Sequence, residues 1–313
     1  MRVSKRGAAD PFLVMDVMER ARAREEAGHR VIHMEVGQPG TPAPEGARAA
    51  LSAAMAAGPL GYTVGLGLPA LRQRIACHYG ETYDVDLDPG RVVVTAGASG
   101  AFILSFTALF EAGDKVALGL PGYPSYRQIL RALSLEPLGI ETRMEDRFQP
   151  VPDQIPAEAQ GLIVASPGNP TGTMLDRAAL GALSDACAAR DVAFISDEIY
   201  HGIDYDMRPV SALELTDDVH VVNSFSKYFS MTGWRVGWMV VPEDHVRIIE
   251  RLAQNLFICA PHASQVAALA TFDCRDELDR NLSVYAANRQ LMIDGLRAAG
   301  FTAFAPPDGA FYI

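Results

Sequence analysis

The sequence predicts an α/β protein, a three-layer arrangement in which a parallel β-sheet is covered by helices on both faces. Two observations carry this. First, from Arg91 onward, apolar segments at 92–95, 116–120, 162–165, 192–196, 219–223 and 235–241 alternate with helical patterns such as 101–111, 176–189 and 243–256. These segments are apolar throughout rather than at every second residue, as in strands buried on both faces. Second, four of them end in polar segments punctuated by Gly or Pro, at 95–99, 166–172, 197–200 and 224–227. Parallel topology gathers such ends on one edge of the sheet, where ligands of α/β proteins bind.

Upstream, residues 10–28 read as an amphipathic helix carrying Phe12, Leu13, Met15, Val17 and Met18, closed by Gly28. The Pro/Gly-rich stretch 37–44 is a linker or a site loop, and 47–57 and 68–79 are helical. A length of 313 residues suggests about two domains, and no internal repeat is visible.

Composition narrows the function. With 49% hydrophobic and 21% charged residues, the chain reads as soluble and globular. A net charge of −11 argues against a nucleic-acid surface, so an anionic ligand has to be held by local donors. No apolar run reaches the roughly 18 residues of a membrane span. Cys77, Cys187, Cys259 and Cys274 form no C-x-x-C pair or zinc spacing. The start of the chain has no signal-peptide pattern, so reduced thiols, a cytoplasmic setting and no metal site are expected. Residues 65–70 fit G-x-G-x-x-A but follow a Gly/Pro-rich segment instead of a strand, which removes the dinucleotide reading. P-loop, hydrolase-elbow and zincin patterns are absent.

The candidate chemistry sits at the strand ends. Lys227 is one of only three lysines among 27 basic residues. Arginine stays protonated at any working pH, whereas a desolvated lysine can lose its proton and attack a carbonyl. Its position beyond the apolar run 219–222 suits a Schiff-base lysine, and equally a lysine in a surface loop. Gly97-Ala98-Ser99 opens a helix and reads as an anion cradle or as an ordinary serine cap. Asp197 must be paired if it is buried, either to a structural cation or to a protonated ring nitrogen. Tyr200 shares its space or is a half-buried aromatic. Ser224, Ser226, Lys227 and Arg235 offer two hydroxyls, an amine and a guanidinium, groups that suit a phosphate dianion. Trp234 and Trp238 read as core residues.

These segments resemble the class I/II aminotransferases, the fold-type-I enzymes that use pyridoxal 5′-phosphate. The matching segments are Gly37-Gln38-Pro39, Tyr62-Thr63 with 67–72, 95–99, Pro121-Gly122-Tyr123-Pro124, 166–172, Asp197-Glu198-Ile199-Tyr200, 224–227, 233–237 and 307–312. They run in the family's order along nearly the whole chain. The resemblance implies a mostly parallel, mixed central sheet within a large cofactor-binding domain at 46–279. An N-terminal arm with part of a smaller α+β domain would occupy 1–45, and 280–313 would begin the rest of that domain. Family members continue beyond the Gly-Ala-Phe-Tyr segment, so the small domain is expected to be incomplete at its C-terminal side. The arginine that clamps the substrate carboxylate finds no motif match.

The resemblance also assigns roles. Lys227 would hold pyridoxal phosphate as an internal aldimine and move a proton between the substrate Cα and the cofactor. Asp197 would keep the pyridine nitrogen protonated, making the ring an electron sink. Asn169 and Tyr200 would hydrogen-bond the phenolic oxygen, and Tyr123 would stack on the ring. Ala98, Ser99, Ser224, Ser226 and Arg235 would grip the phosphate. Tyr62 would serve the phosphate of a neighbouring subunit, which implies a homodimer with shared sites. Gly37 and Asn169 would meet the substrate. The expected reaction is ping-pong transfer of an amino group from an amino acid to a 2-oxo acid. A β-lyase or another Cα–H-activating enzyme of the same fold, or a cofactor-binding protein without turnover, are the alternatives.

Overall fold

The computed structural model describes residues 2–7 and 9–313. Its centre is a seven-stranded sheet of β1 (Val92–Thr95), β2 (Lys115–Leu120), β3 (Glu136–Glu141), β4 (Gly161–Ala165), β5 (Ala193–Asp197), β6 (His220–Ser224) and β7 (Gly237–Val240). The strand order is β1-β7-β6-β5-β4-β2-β3. Every pairing is parallel except those of β7, which runs antiparallel to both β1 and β6. The expected α/β fold with a mostly parallel, mixed sheet is therefore the observed one.

Successive strand residues point to opposite faces, and here both faces are buried. Val92, Val94, Leu162, Val164 and Trp238 join one core, while Val93, Ile163, Ile195, Val222 and Met239 join the other. The first core is covered by α2 (Glu45–Ala57), α3 (Pro69–Tyr83), α6 (Arg177–Ala188) and α8 (His262–Thr271). The second lies under α4 (Gly97–Leu109), α5 (Pro124–Ala132) and α7 (Glu243–Leu256). Helix starts follow local chemistry. Proline occupies the first turn of α3 and α5, where a missing N–H costs nothing. The Asp176 side chain accepts the Ala179 N–H at the start of α6.

Some elements differ from the sequence reading. The N-terminal helix α1 spans Leu13–Glu26, and its Leu13, Met15 and Val17 are 68%, 55% and 45% exposed. Strand β7 starts at Gly237, because Arg235 adopts a left-handed conformation (φ 52°, ψ 51°) that ends extended pairing. Trp238 is in the core as read from sequence, whereas Trp234 is half-buried. Strand β3 and helices α5, α8 and α9 (Arg275–Ala298) are additional. Among the described residues no helix is long and apolar enough to cross a membrane, and no group of three or more His, Cys, Asp or Glu could hold a metal ion.

Candidate active site

The antiparallel β7 lets β1 and β6 present their carboxyl ends together. Thr95 and Ser224 both pair with Gly237 across the ladder, so the segments that follow them leave the sheet side by side. The ends of β4 and β5 lie alongside, in register at Ala165 and Asp197. All candidate residues except Ser224 and Tyr62 line one cavity of about 250 Å³ at this edge. A wider depression of about 500 Å³ beside it, formed by segments near Gln38 and Gly233, contains no titratable side chain.

The anion-binding end forms where α4 follows β1 without a linker. Ala96 gives α4 no side-chain cap, so first-turn N–H groups remain unpaired beside Ala98 and Ser99 at the cavity wall. Gly97 has φ +71°, and a Cβ there would stand 2.4 Å from the Arg235 guanidinium. Only glycine lets that cation lie against the backbone of the helix start. Arg235 is held by donating from Nη1 to the Thr232 carbonyl at 2.8 Å. Ser226 lines the cavity, whereas Ser224 stands behind it. Ser224 Oγ accepts the Ser226 N–H at 3.1 Å and lies 2.9 Å from Ser226 Oγ.

Lys227 enters from the loop after β6 and donates to the Gly37 carbonyl at 2.6 Å. Burial lowers its amine to about 8, with Asp197 opposing and Arg235 assisting. It is therefore an amine whose neutral, nucleophilic form is accessible near neutral pH. Asp197, 3% exposed, ends β5 at the cavity floor. Burial raises its carboxyl to about 6, while hydrogen bonds from Tyr126 and the Ile199 N–H and the charge of Lys227 favour the ionised form. The Ile199 N–H reaches Oδ1 at 3.1 Å, and the Tyr126 hydroxyl donates to Oδ2. A buried carboxylate with one donor on each oxygen can still accept a cationic ring N–H through a remaining lone pair.

Two further phenols complete the site. The Asn169 amide donates toward the Tyr200 hydroxyl at 3.4 Å and toward the Tyr312 hydroxyl at 3.2 Å. The two hydroxyls are 2.6 Å apart. Tyr123 lines the opposite wall, edge-on to Phe12 of the N-terminal arm at 6.1 Å between centroids. Tyr62 lies outside the cavity and is 82% exposed.

Sequence reasoning missed Tyr126 and Tyr312. Tyr126 follows Tyr123 by three residues at a proline-started helix, a spacing that turns both rings to one side. Tyr312 stands in the matched segment 307–312 but carried no assigned role.

The fold and the grouping of these side chains at one sheet edge define an aminotransferase, and the comparisons agree. The chain belongs to the aminotransferase class I and II family, which it matches over residues 29–313. It is 45% identical to the valine–pyruvate aminotransferase of Mycobacterium tuberculosis over 319 aligned positions, covering 100% of this chain and 82% of that protein. Among solved structures, an aminotransferase from the same organism superposes with a TM-score of 0.96 at 44% identity, covering 99% of this chain and 82% of the other. The aspartate aminotransferase of Thermus thermophilus with maleate gives 0.93 at 28% identity, covering 99% and 84%.

Proposed function

We propose that this aminotransferase moves an amino group from an aliphatic amino acid to a 2-oxo acid in two half-reactions, with pyridoxal 5′-phosphate carried by Lys227. The donor set of the cavity fits that group. The uncapped start of α4, Ser99, Ser226 and Arg235 suit a phosphate. Asp197 suits a cationic ring nitrogen, Asn169 and Tyr200 suit a phenolic oxygen, and Tyr123 offers an aromatic face. When bound, the group supplies a carbonyl carbon and a cationic ring that absorbs the electron pair left at the substrate Cα.

The protein's own residues do the rest. The Lys227 amine, lowered to about 8, would hold the group at its carbonyl carbon and, once the substrate amine has displaced it there, would move a proton at Nζ. Asp197 would hold positive charge at the ring nitrogen. Gly37, whose carbonyl Lys227 contacts, and Asn169 face the substrate.

The donor class follows from the wall and from a relative. Apart from the groups already placed, the cavity is bounded mainly by Phe12, Val14, Val36, Phe102 and Pro124, with Gln38 as a polar side chain and Glu35 as the one further charged one. Such a wall disfavours a second substrate carboxylate. The 45% identical relative is named for valine and pyruvate. We further propose a homodimer in which Tyr62 serves the partner's phosphate. Exposed Leu13, Met15, Val17 and Tyr62 are the apolar surface a second copy would cover.

The single observation that carries the reading is Lys227, a half-buried amine lowered to about 8, in one cavity with Asp197 and Arg235. Borohydride reduction with pyridoxal phosphate, followed by peptide mapping, tests it. A pyridoxyl label on Lys227 is expected. Label on Lys5 or Lys115, or on no residue, refutes the assignment. Incubation with valine should give the 2-oxo acid only when pyruvate or another acceptor completes the cycle. Ammonia release without an acceptor would indicate a lyase instead.

A further inference from the structure

We propose that His201 is a positioning residue for the amino transfer, tying the loop of Asn169 to that of Tyr200 so that their side chains meet at one point in the cavity. This rests on the function proposed above, since the meeting point is where the cofactor's phenolic oxygen would be bound.

Asn169 and Tyr200 follow adjacent strands but lie beyond the last ladder pair, Ala165 with Asp197. Past that pair, one backbone bond continues the ladder, from the Ser166 N–H to the Asp197 carbonyl at 3.2 Å. The next tie is a side chain. His201 Nε2 lies 2.9 Å from the Ser166 carbonyl, which can only accept, so Nε2 carries the hydrogen. Nδ1 is then the acceptor, and the Tyr83 hydroxyl stands 2.7 Å from it. The Tyr83 proton thus fixes the tautomer that reaches the loop. Glu198 Oε2 is 3.6 Å from the same Nδ1, outside hydrogen-bond range, and accepts instead from the Ser211 hydroxyl, while the Ala212 N–H goes to Oε1. His201 and Tyr83 are both 6% exposed, and neither lines the cavity. His201 is the residue after Tyr200, and Ser166 stands three before Asn169, so this bond spans the gap on the core side of the two cavity residues.

A histidine that merely fills core space would affect stability and nothing else. A positioning histidine changes the hydrogen bonds that Asn169 and Tyr200 make to the phenolic oxygen, and with them the pH midpoint of the visible absorption of the loaded protein. The test titrates that band in the wild-type protein and in His201→Leu, His201→Gln and Tyr83→Phe, with melting temperature recorded in parallel. In His201→Leu the midpoint is expected to move by about half a pH unit or more. Its kcat is expected to fall about tenfold with a smaller change in KM. His201→Gln keeps an N–H donor and should restore much of both. Tyr83→Phe releases the tautomer and should move the midpoint in the same direction by less. If His201→Leu does not fold, Tyr83→Phe decides. A normal wild-type band with unmoved midpoints in the folded variants overturns this inference alone. Absence of a band in the wild-type protein overturns the cofactor reading and this inference with it.

Discussion

The Tyr126 hydroxyl donates to Asp197 Oδ2 at the floor of the cavity, joining the first turn of α5 to the end of β5. Burial holds the Asp197 carboxyl at about 6, and the Tyr126 bond comes first among the groups that favour the ionised form, ahead of the Ile199 N–H and the charge of Lys227. In Tyr126→Phe the carboxyl therefore titrates higher and is less ionised at neutral pH. The acidic limb of the kcat/KM profile should shift upward, with a loss of about tenfold near pH 7 and recovery toward pH 9. A profile that overlays the wild type would show that the bond does not tune Asp197.

Lys227 gives a prediction for cofactor loading. Only the neutral amine attacks a carbonyl, and the amine titrates at about 8 because burial disfavours its charge. The rate at which cofactor-free protein captures pyridoxal phosphate should rise about tenfold per pH unit below that value and level off above it. Asp197 is the group that raises this amine, so Asp197→Asn should move the midpoint down. Borohydride trapping across a pH series measures both, and a midpoint near that of a free lysine would contradict the burial argument.

Gly37 and Tyr312 constrain each other. A Cβ on residue 37 would lie 1.8 Å from the Tyr312 hydroxyl oxygen, so Gly37→Ala cannot keep both in place. Tyr312 would have to leave its contacts with Asn169 and Tyr200. The expected cost is about 1–3 kcal/mol of stability, as for overpacking in general. Substrate KM should rise as well, because the displaced phenol belongs to the cavity wall. The double variant Gly37→Ala/Tyr312→Leu, which removes the hydroxyl and the ring carbons that would stand 2.5 and 2.7 Å from that Cβ, should be less destabilised than the sum of the two single variants. Calorimetry on the three variants checks this, and strictly additive losses would rule out the collision as the cause.

The strands that build the site were legible because each is buried on both faces and therefore continuously apolar, as 162–165 and 219–223 are. Strand β3 was not, since an edge strand that is half exposed carries Glu136, Pro137 and Gly139 without an apolar run. Helix α9 buries only Leu278 and Ile293 in 24 residues, which leaves almost no periodic signal. Lys227, Asp197 and Arg235 stood out by residue type near strand ends and Asn169 only through the family resemblance, and the structure brings all four to one cavity. Tyr126 was not: a tyrosine one turn into a helix looks like core until a carboxylate is found opposite it. The antiparallel β7, which aligns Thr95 with Ser224, depends on long-range pairing that local pattern does not encode.

Glu198 separates stability from catalysis. It is 1% exposed, faces away from the cavity, and is held by Ser211, Ser196 and the Ala212 N–H. Burial raises its carboxyl from the usual range to about 8. The folded state therefore binds a proton that the unfolded state has released. The stability this contributes is complete below about 4.5 and is lost as pH rises through about 8. The buried His201 and His220, both pushed down to about 3, act with the opposite sign, but only below about 6.5. Lys227, lowered to about 8, adds stability only above that value. Between pH 6.5 and 8 Glu198 is joined by the exposed His33, which Glu35 and Glu25 hold above its ordinary value and which acts with the same sign, and wild-type stability should fall across that interval. Glu198→Gln keeps acceptors for Ser211 and Ala212 and can donate to a serine hydroxyl, so it should flatten the slope. Urea titrations at pH 6.5 and 8 decide the matter: an equal loss of stability in both proteins would place the proton elsewhere.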